Sequence, residues 1–193
     1  MNFQIKKFNM NIQGNCLLFG NYNSHTTINS IINGSPAYVV TDKELQYLYK
    51  DNACKFLDSW EQLCTVVNLE RNQHMYVVLD NCFYDETWLT DKFLQMLLRN
   101  KDISVIISLP YVLSIPHRIL CNIYYIIIQY DIYLKNKKII STHFLNDVLH
   151  LSDLMALVDI DSIFDAVFVN KNDSIVLDNQ VITTATERLI YWG

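Results

Sequence analysis

Glycine and proline are scarce in this chain, at four and three of 193 residues. That scarcity excludes Gly/Ser- or Pro-rich linkers and low-complexity stretches, and no internal repeat is visible. Charge is also sparse: 18% of residues are charged against 51% hydrophobic. A chain this apolar is not disordered, and its length suits one domain over residues 1–193 that buries about two-thirds of its unfolded surface. Positive charge is short too. A net charge of -5 excludes a generally basic nucleic-acid binder, because phosphate contact needs clustered Lys and Arg. Lys135, Lys137 and Lys138 form one local basic cluster, which reads as a solvated turn. Long apolar runs are missing. The longest, at 123–128, is far too short to span a bilayer, and no apolar stretch follows the first seven residues to serve as a signal peptide. The expectation is a soluble cytosolic protein without a membrane span. The five cysteines, Cys16, Cys54, Cys64, Cys82 and Cys121, are odd in number and lack zinc-ligand spacing, so they read as buried thiols in a reducing compartment.

What the sequence does have is a rhythm. Short runs rich in β-branched and aromatic residues recur at 16–19, 37–40, 75–79, 103–107 and 123–128. Continuous apolar runs of that length fit strands covered on both faces of a parallel sheet. Helical spacing fills the gaps between them. Leu45, Leu48 and Tyr49 share one such face. Trp88, Leu89, Phe93, Met96 and Leu97 share another, opened by Asp85-Glu86. Strand alternating with helix predicts a doubly wound α/β sheet. Later, the pattern predicts a helix around 142–157, a hairpin at 166–169 and 174–177, and a closing strand at 188–192.

The first strand runs into Gly20-Asn21-Tyr22-Asn23-Ser24-His25-Thr26-Thr27, and a helix-like run follows. A phosphate-binding loop belongs at such a junction. It needs a second glycine for close backbone approach, a lysine for the β/γ-phosphates and a hydroxyl for Mg²⁺. Gly20 and Thr27 match the ends of that pattern, while His25 stands at the glycine and Thr26 at the lysine. Alone, a glycine and a threonine so spaced read as an ordinary turn and helix cap. The third strand ends in Leu79-Asp80-Asn81. There Asp80 would hold the Mg²⁺ shell, and the next residue should be the acid that activates water. Asn81 is an amide and cannot take the proton. Alone, Asp80 reads as the cap of a following helix.

After the fourth strand come Ser108-Leu109-Pro110-Tyr111, Ile115-Pro116 and Cys121-Asn122-Ile123-Tyr124-Tyr125. With these the chain resembles the DNA-packaging ATPases of large eukaryotic DNA viruses, the A32-like branch of the FtsK/HerA superfamily. Ser108, Tyr111, Ile115, Pro116, Asn122 and Tyr125 sit in matching register. The family's nucleotide-sensing glutamine falls on Pro110, its arginine on Leu120 and an aspartate on Tyr124. The tail, Asp165-Ala166-Val167-Phe168-Val169 and Arg188-Leu189-Ile190-Tyr191-Trp192, is similar to the family's closing hairpin, so the likeness spans about 14–192.

The resemblance implies a P-loop NTPase (RecA/FtsK-like) fold: a parallel sheet flanked by helices, with a C-terminal β-hairpin. It also implies a vestigial nucleotide and Mg²⁺ site at Gly20, His25, Thr26, Thr27 and Asp80, with Asn81, Pro110 and Leu120 as the degenerate catalytic positions. The expectation is a catalytically inactive relative of a viral packaging ATPase that needs no cofactor. It would serve as a structural or interaction module in virion assembly or packaging. Its implied partners are capsid or packaging proteins or an active ATPase paralogue in an oligomer, with DNA contacted weakly or not at all, in the host cytoplasm (viral factory) or the virion. The rival expectation is a divergent ATPase in which Thr26, Thr27 and Asp80 hold Mg-ATP and a partner supplies the missing cation, since no Lys or Arg lies between Lys7 and Lys43.

Other constellations are weaker. His74, His117, His143 and His150 are scattered, and the seven-residue spacing of the last two is wrong for a helical metal pair. No Gly-x-Ser-x-Gly elbow anchors an acyl-transfer triad, and nothing local supports a Cys-His nucleophile. Trp60, Trp88 and Trp192 sit beside apolar neighbours, as core aromatics do, rather than forming a base-stacking platform.

Overall fold

The computed structural model describes residues 4–5, 13–20, 24–49, 53–67, 74–83, 86–129, 132, 135–136, 138–139, 166–170, 174–177, 180–183 and 189–190. The helix expected at 142–157, the pair His143 and His150, and Trp192 lie outside the described residues. Among the described residues eleven strands follow in chain order: β1 (Gln4–Ile5), β2 (Cys16–Phe19), β3 (Ala37–Val40), β4 (Cys54–Leu57), β5 (Met75–Asp80), β6 (Ile103–Leu109), β7 (Tyr125–Gln129), β8 (Ala166–Asn170), β9 (Ser174–Leu177), β10 (Gln180–Thr183) and β11 (Leu189–Ile190). Helices with described bounds include α1 (Ser24–Ile32), α2 (Trp60–Val67), α3 (Lys92–Arg99) and α4 (His117–Leu120), with 3₁₀ helices at Lys43–Tyr49 and Glu86–Thr90.

Backbone contacts group the chain into two compact units. The first, Met10–Tyr124, is a parallel sheet of order β2-β6-β5-β3-β4 flanked by helices. Strands β2, β3, β5 and β6 are buried at every position. Each reads as a continuous apolar run for that reason, since neither face meets water. The register brings the carboxyl ends together: Phe19 lies opposite Leu109, Asp80 opposite Ser108, and Val40 opposite Leu79. Strand β4, of sequence Cys-Lys-Phe-Leu, closes one edge with Lys55 and Phe56 exposed.

Two expected helices differ from the sequence pattern. The run with Leu45, Leu48 and Tyr49 is a 3₁₀ helix rather than an α-helix, and its three-residue period still puts Leu45 and Leu48 on one face. The run from Trp88 to Leu97 is broken. A 3₁₀ turn ends at Thr90, and Asp91 then caps α3, its carboxylate accepting from the Leu94 N–H at 2.9 Å. The helix therefore starts at a side-chain cap rather than at Asp85-Glu86.

Met1–Asn9 with Tyr125–Gly193 forms the second unit. In it β7, β8, β9 and β10 pair in order, all antiparallel, and β1 pairs with β11 in parallel. The hairpin expected at 166–177 is β8 and β9. The strands β1, β4 and β10 were not expected. Lys135 and Lys138 are exposed on helical backbone.

The cysteines are free thiols, but only Cys16 is buried. Cys54, Cys64 and Cys82 are half-buried and Cys121 is exposed, a correction to the expectation of buried thiols. The apolar runs place Cys16 in a central strand, whereas Cys54 starts the edge strand, Cys64 lies within α2, and Cys82 and Cys121 follow the ends of β5 and α4.

Candidate functional site

In a parallel sheet the carboxyl ends of the strands are where loops diverge and ligands are received. Here the ends of β2, β5 and β6, the start of α1 and the 3₁₀ helix Lys43–Tyr49 enclose a cleft of about 360 Å³. Gly20, His25, Asp80, Asn81 and Pro110 all line it, so five of the sequence-derived positions meet at one place. Thr26 is exposed on α1 and Thr27 is buried there. Leu120 is half-buried on α4 and does not line the cleft.

Local backbone explains the assembly. The Gly20 N–H donates to the Leu109 carbonyl at 2.9 Å, and the Asn81 N–H to the Ser108 carbonyl at 3.0 Å. These bonds carry the ladders β2·β6 and β5·β6 one residue past the strand ends. Asn81 itself is left-handed, with φ 51°, a conformation that asparagine tolerates better than most residues. The chain therefore turns sharply directly after Asp80.

Asp80 is 4% exposed, and its carboxylate accepts a hydrogen bond from the Tyr49 hydroxyl at 2.5 Å. Tyr49 is fully buried at the end of its 3₁₀ helix. Burial, and next the negative charge of Asp80, push the phenol well above its ordinary range, so it stays a neutral donor at physiological pH. Burial also pushes the neighbouring Cys82 thiol up to about 12, with help from the charges of Asp80 and Asp42. A thiol so placed is a poor nucleophile. The ring contact Tyr49–Phe56, edge-on at 6.4 Å, helps hold the phenol in place.

A Mg²⁺–triphosphate needs cationic and N–H donors for its phosphates and a carboxylate free to hold the metal's water shell. None of the described residues lining the cleft is Lys or Arg. An imidazole, His25, stands in the lining, and the acid at the end of β5 is engaged by a phenol. The described lining therefore supplies no Lys or Arg for phosphate, and its buried acid already accepts one hydrogen bond. Among the described residues, no group of three His, Cys, Asp or Glu is placed to hold a metal ion.

Sequence reasoning missed Tyr49 as part of this site. Its only signal was a place on an amphipathic run, which indicated packing; the bond to Asp80 comes from tertiary structure. It also missed Leu45 and Leu48, which cover the cleft.

No family profile and no curated protein sequence matches the chain. Solved structures do. The genome packaging NTPase B204 of Sulfolobus turreted icosahedral virus 2 in complex with AMP is similar at a TM-score of 0.60 with 14% identity, over 86% of this chain and 96% of that one. The complex of B204 with ATP-γ-S aligns at 0.58 over the same shares of each chain. The conjugation coupling protein TcpA of pCW3 aligns at 0.51 with 12% identity, over 94% of this chain but 60% of its own. The parallel sheet flanked by helices, with its cleft at the carboxyl ends of β2, β5 and β6, is thus the P-loop NTPase fold.

Proposed function

We propose that this protein is a catalytically inactive form of a viral genome-packaging NTPase. On this reading it acts as a structural or interaction module in virion assembly or packaging, alongside capsid proteins or an active ATPase. The whole chain is one such domain, working in the infected-cell cytoplasm or the virion. The observation that carries the reading is the Tyr49–Asp80 hydrogen bond at 2.5 Å inside a cleft lined by no described Lys or Arg. A hydroxyl engages one carboxylate oxygen of the acid that metal would need, and no described Lys or Arg in the lining offsets phosphate charge. The amide of Asn81 stands where the base should be, so charge stabilisation and water activation are both unsupported. The fold neighbours are packaging and coupling proteins solved with nucleotides, which supports the packaging context.

A second reading is a divergent ATPase that still binds Mg-ATP. It is favoured by the survival of the cleft itself and by Arg118, an exposed cation on α4 that a neighbouring copy could receive.

A thermal melt with and without millimolar Mg-ATP tests the pair. A ligand at a hundredfold excess over its Kd stabilises by about 2.7 kcal/mol. No shift and no phosphate release are expected from the parent protein. The triple variant His25→Gly, Thr26→Lys, Tyr49→Phe should gain nucleotide binding, because a strand-to-helix junction is the general setting in which a helix N-terminus receives phosphate. Turnover should still need an acid at Asn81. A clear shift with the parent protein overturns the proposal in favour of the second reading. A repaired protein that folds yet binds nothing removes the nucleotide-site reading of residues 20–27.

A further inference from the structure

The cleft at the carboxyl ends of β2, β5 and β6 has a polar floor that the fold leaves partly unspent. Tyr49 engages one oxygen of Asp80; among the described residues nothing engages the other. Ser108 lies opposite Asp80 in the register of β5 and β6, and register partners on adjacent parallel strands point to the same face. Ser24, the first residue of α1, joins them in the lining. Asp80, Ser24 and Ser108 are 4%, 7% and 2% exposed, and neither serine hydroxyl has a hydrogen-bond partner among the described residues. None of these oxygens is sealed off. The unpartnered side-chain atoms without accessible surface are those of Thr41 and Trp88, which lie outside this lining. A group the size of a water molecule therefore reaches all three oxygens from the cleft.

Buried polar groups are nearly always paired, and an exception asks what pairs it. Water satisfies a hydroxyl, but it leaves the charge of a buried carboxylate uncompensated. No Lys or Arg among the described lining residues offsets that charge. The start of α1 also lines the cleft, but a helix terminus carries only a fraction of a charge against the full charge of Asp80. The missing partner is a cation.

Chemistry selects among cations. Magnesium held by one carboxylate ordinarily also takes phosphate oxygens, and the described lining has no Lys or Arg to hold phosphate. A guanidinium prefers to grip both oxygens of a carboxylate, and here Tyr49 engages one of them. An alkylammonium has three rotatable N–H donors and no acceptor. It matches one carboxylate oxygen and two hydroxyl oxygens in number and kind. Its methylene stem suits Leu45, Leu48 and Pro110, which supply apolar surface in the same lining. Asp80 is the one carboxylate among the described lining residues, so a single ammonium is met and the further charges of a polyamine are not. We infer that this cleft receives the ammonium of a lysine side chain from a partner protein, held by the free oxygen of Asp80 and the hydroxyls of Ser24 and Ser108. The inference rests on the reading of the protein as an inactive interaction module and names the chemistry of the contact.

An NMR titration of the full chain at constant ionic strength tests it with N-acetyl-lysine N-methylamide, the norleucine analogue that lacks only the ammonium, the arginine analogue and spermidine. The lysine probe should saturate and bind at least about tenfold tighter than the norleucine analogue, as a charge-assisted contact requires. It should also bind several-fold tighter than the arginine analogue. Ser108→Ala should weaken the lysine probe about fivefold, the worth of one hydrogen bond, at an unchanged melting temperature, because the hydroxyl it removes has no described partner within the protein. Asp80→Asn should abolish saturation. Absence of saturation by the parent protein, equal binding of the norleucine analogue, or indifference to Ser108→Ala would overturn the inference. Tighter binding of the arginine analogue or of spermidine would overturn it in favour of a guanidinium or a free polyamine. The Mg-ATP melt keeps the two failures apart. A lysine probe that does not bind, with no Mg-ATP shift, removes this inference alone, whereas a Mg-ATP shift removes the inactive reading and this inference together.

Discussion

The two ends of the parallel strands are built on opposite rules. At the amino ends, Asn15 is 2% exposed and fully engaged. Its amide N–H groups donate to the carbonyls of Leu98 at 2.6 Å and Asn122 at 2.8 Å. Its side-chain oxygen accepts from the Val105 N–H at 2.9 Å, and its backbone carbonyl accepts from the Tyr124 N–H at 2.8 Å. One residue thus ties the entry of β2 to β6, to the end of α3 and to the segment before β7. Beside it the Gly14 N–H donates to the Ser104 hydroxyl at 2.9 Å. Gly14 has φ 129°, and a Cβ there would lie 3.1 Å from the Tyr124 ring, so only glycine fits. At the carboxyl ends lie two clefts, a buried tyrosine spent on a buried acid, and two polar atoms without partners. Saturation at one end gives a rigid frame; incompleteness at the other is where binding is to be sought.

The sharpest way to break this contrast is Asn15→Ala. It strands a buried N–H, a buried carbonyl and a part-buried one at once, each buried group costing about 1–3 kcal/mol. We expect a loss of about 3 kcal/mol or more in chemical denaturation, enough to leave a marginal domain largely unfolded at 37 °C. A loss under about 1 kcal/mol would mean that the amino end is no better secured than the carboxyl end.

Tyr49→Phe ranks next. It removes one hydrogen bond to a buried carboxylate and leaves that carboxylate without the donor, at a cost of about 2 kcal/mol near neutral pH. The effect has a pH signature. The folded protein holds the Tyr49 proton more tightly than the unfolded chain. Its contribution is therefore whole below the unfolded value of 10.0 and is lost as pH rises above it. Denaturation curves of parent and variant should converge above that pH, and parallel curves would show that the phenol is not held neutral by burial and Asp80.

The two ends also differ in how far the sequence reveals them. Strands β2, β3, β5 and β6 are legible because burial on both faces forces unbroken apolar runs. Strand β4 is not, because an edge strand can carry Lys55 in water and so breaks the pattern. At the carboxyl ends, the positions of Gly20, His25, Asp80, Asn81 and Pro110 follow from strand-to-loop junctions, which are local. Tyr49 does not, since it lies 31 residues from Asp80 and its spacing with Leu45 and Leu48 says only that it faces inward. Asn15 was likewise silent, because a polar residue before a strand looks like a loop residue until its partners at Leu98, Val105 and Asn122 come together. The unpartnered indole nitrogen of Trp88 was invisible for a related reason. Trp60 and Trp88 read as core aromatics, and burial of Trp88 agrees, but an orphaned indole nitrogen is a property of tertiary structure alone.

The smallest effect carries the most pointed test of the contrast, and it lies at Thr41. Removing a hydrogen-bonded buried hydroxyl destabilises a protein, whereas removing one that has no partner relieves a desolvation penalty. The Thr41 hydroxyl is of the second kind, so Thr41→Val, which keeps the β-branched shape, should leave stability unchanged or raise it by up to about 1 kcal/mol. The sign matters more than the size, because Asn15→Ala at the other end of the sheet must go the opposite way. Paired denaturation curves for the two variants would show it. A clear loss in Thr41→Val would mean that the hydroxyl has a partner, and that the carboxyl end is as saturated as the amino end.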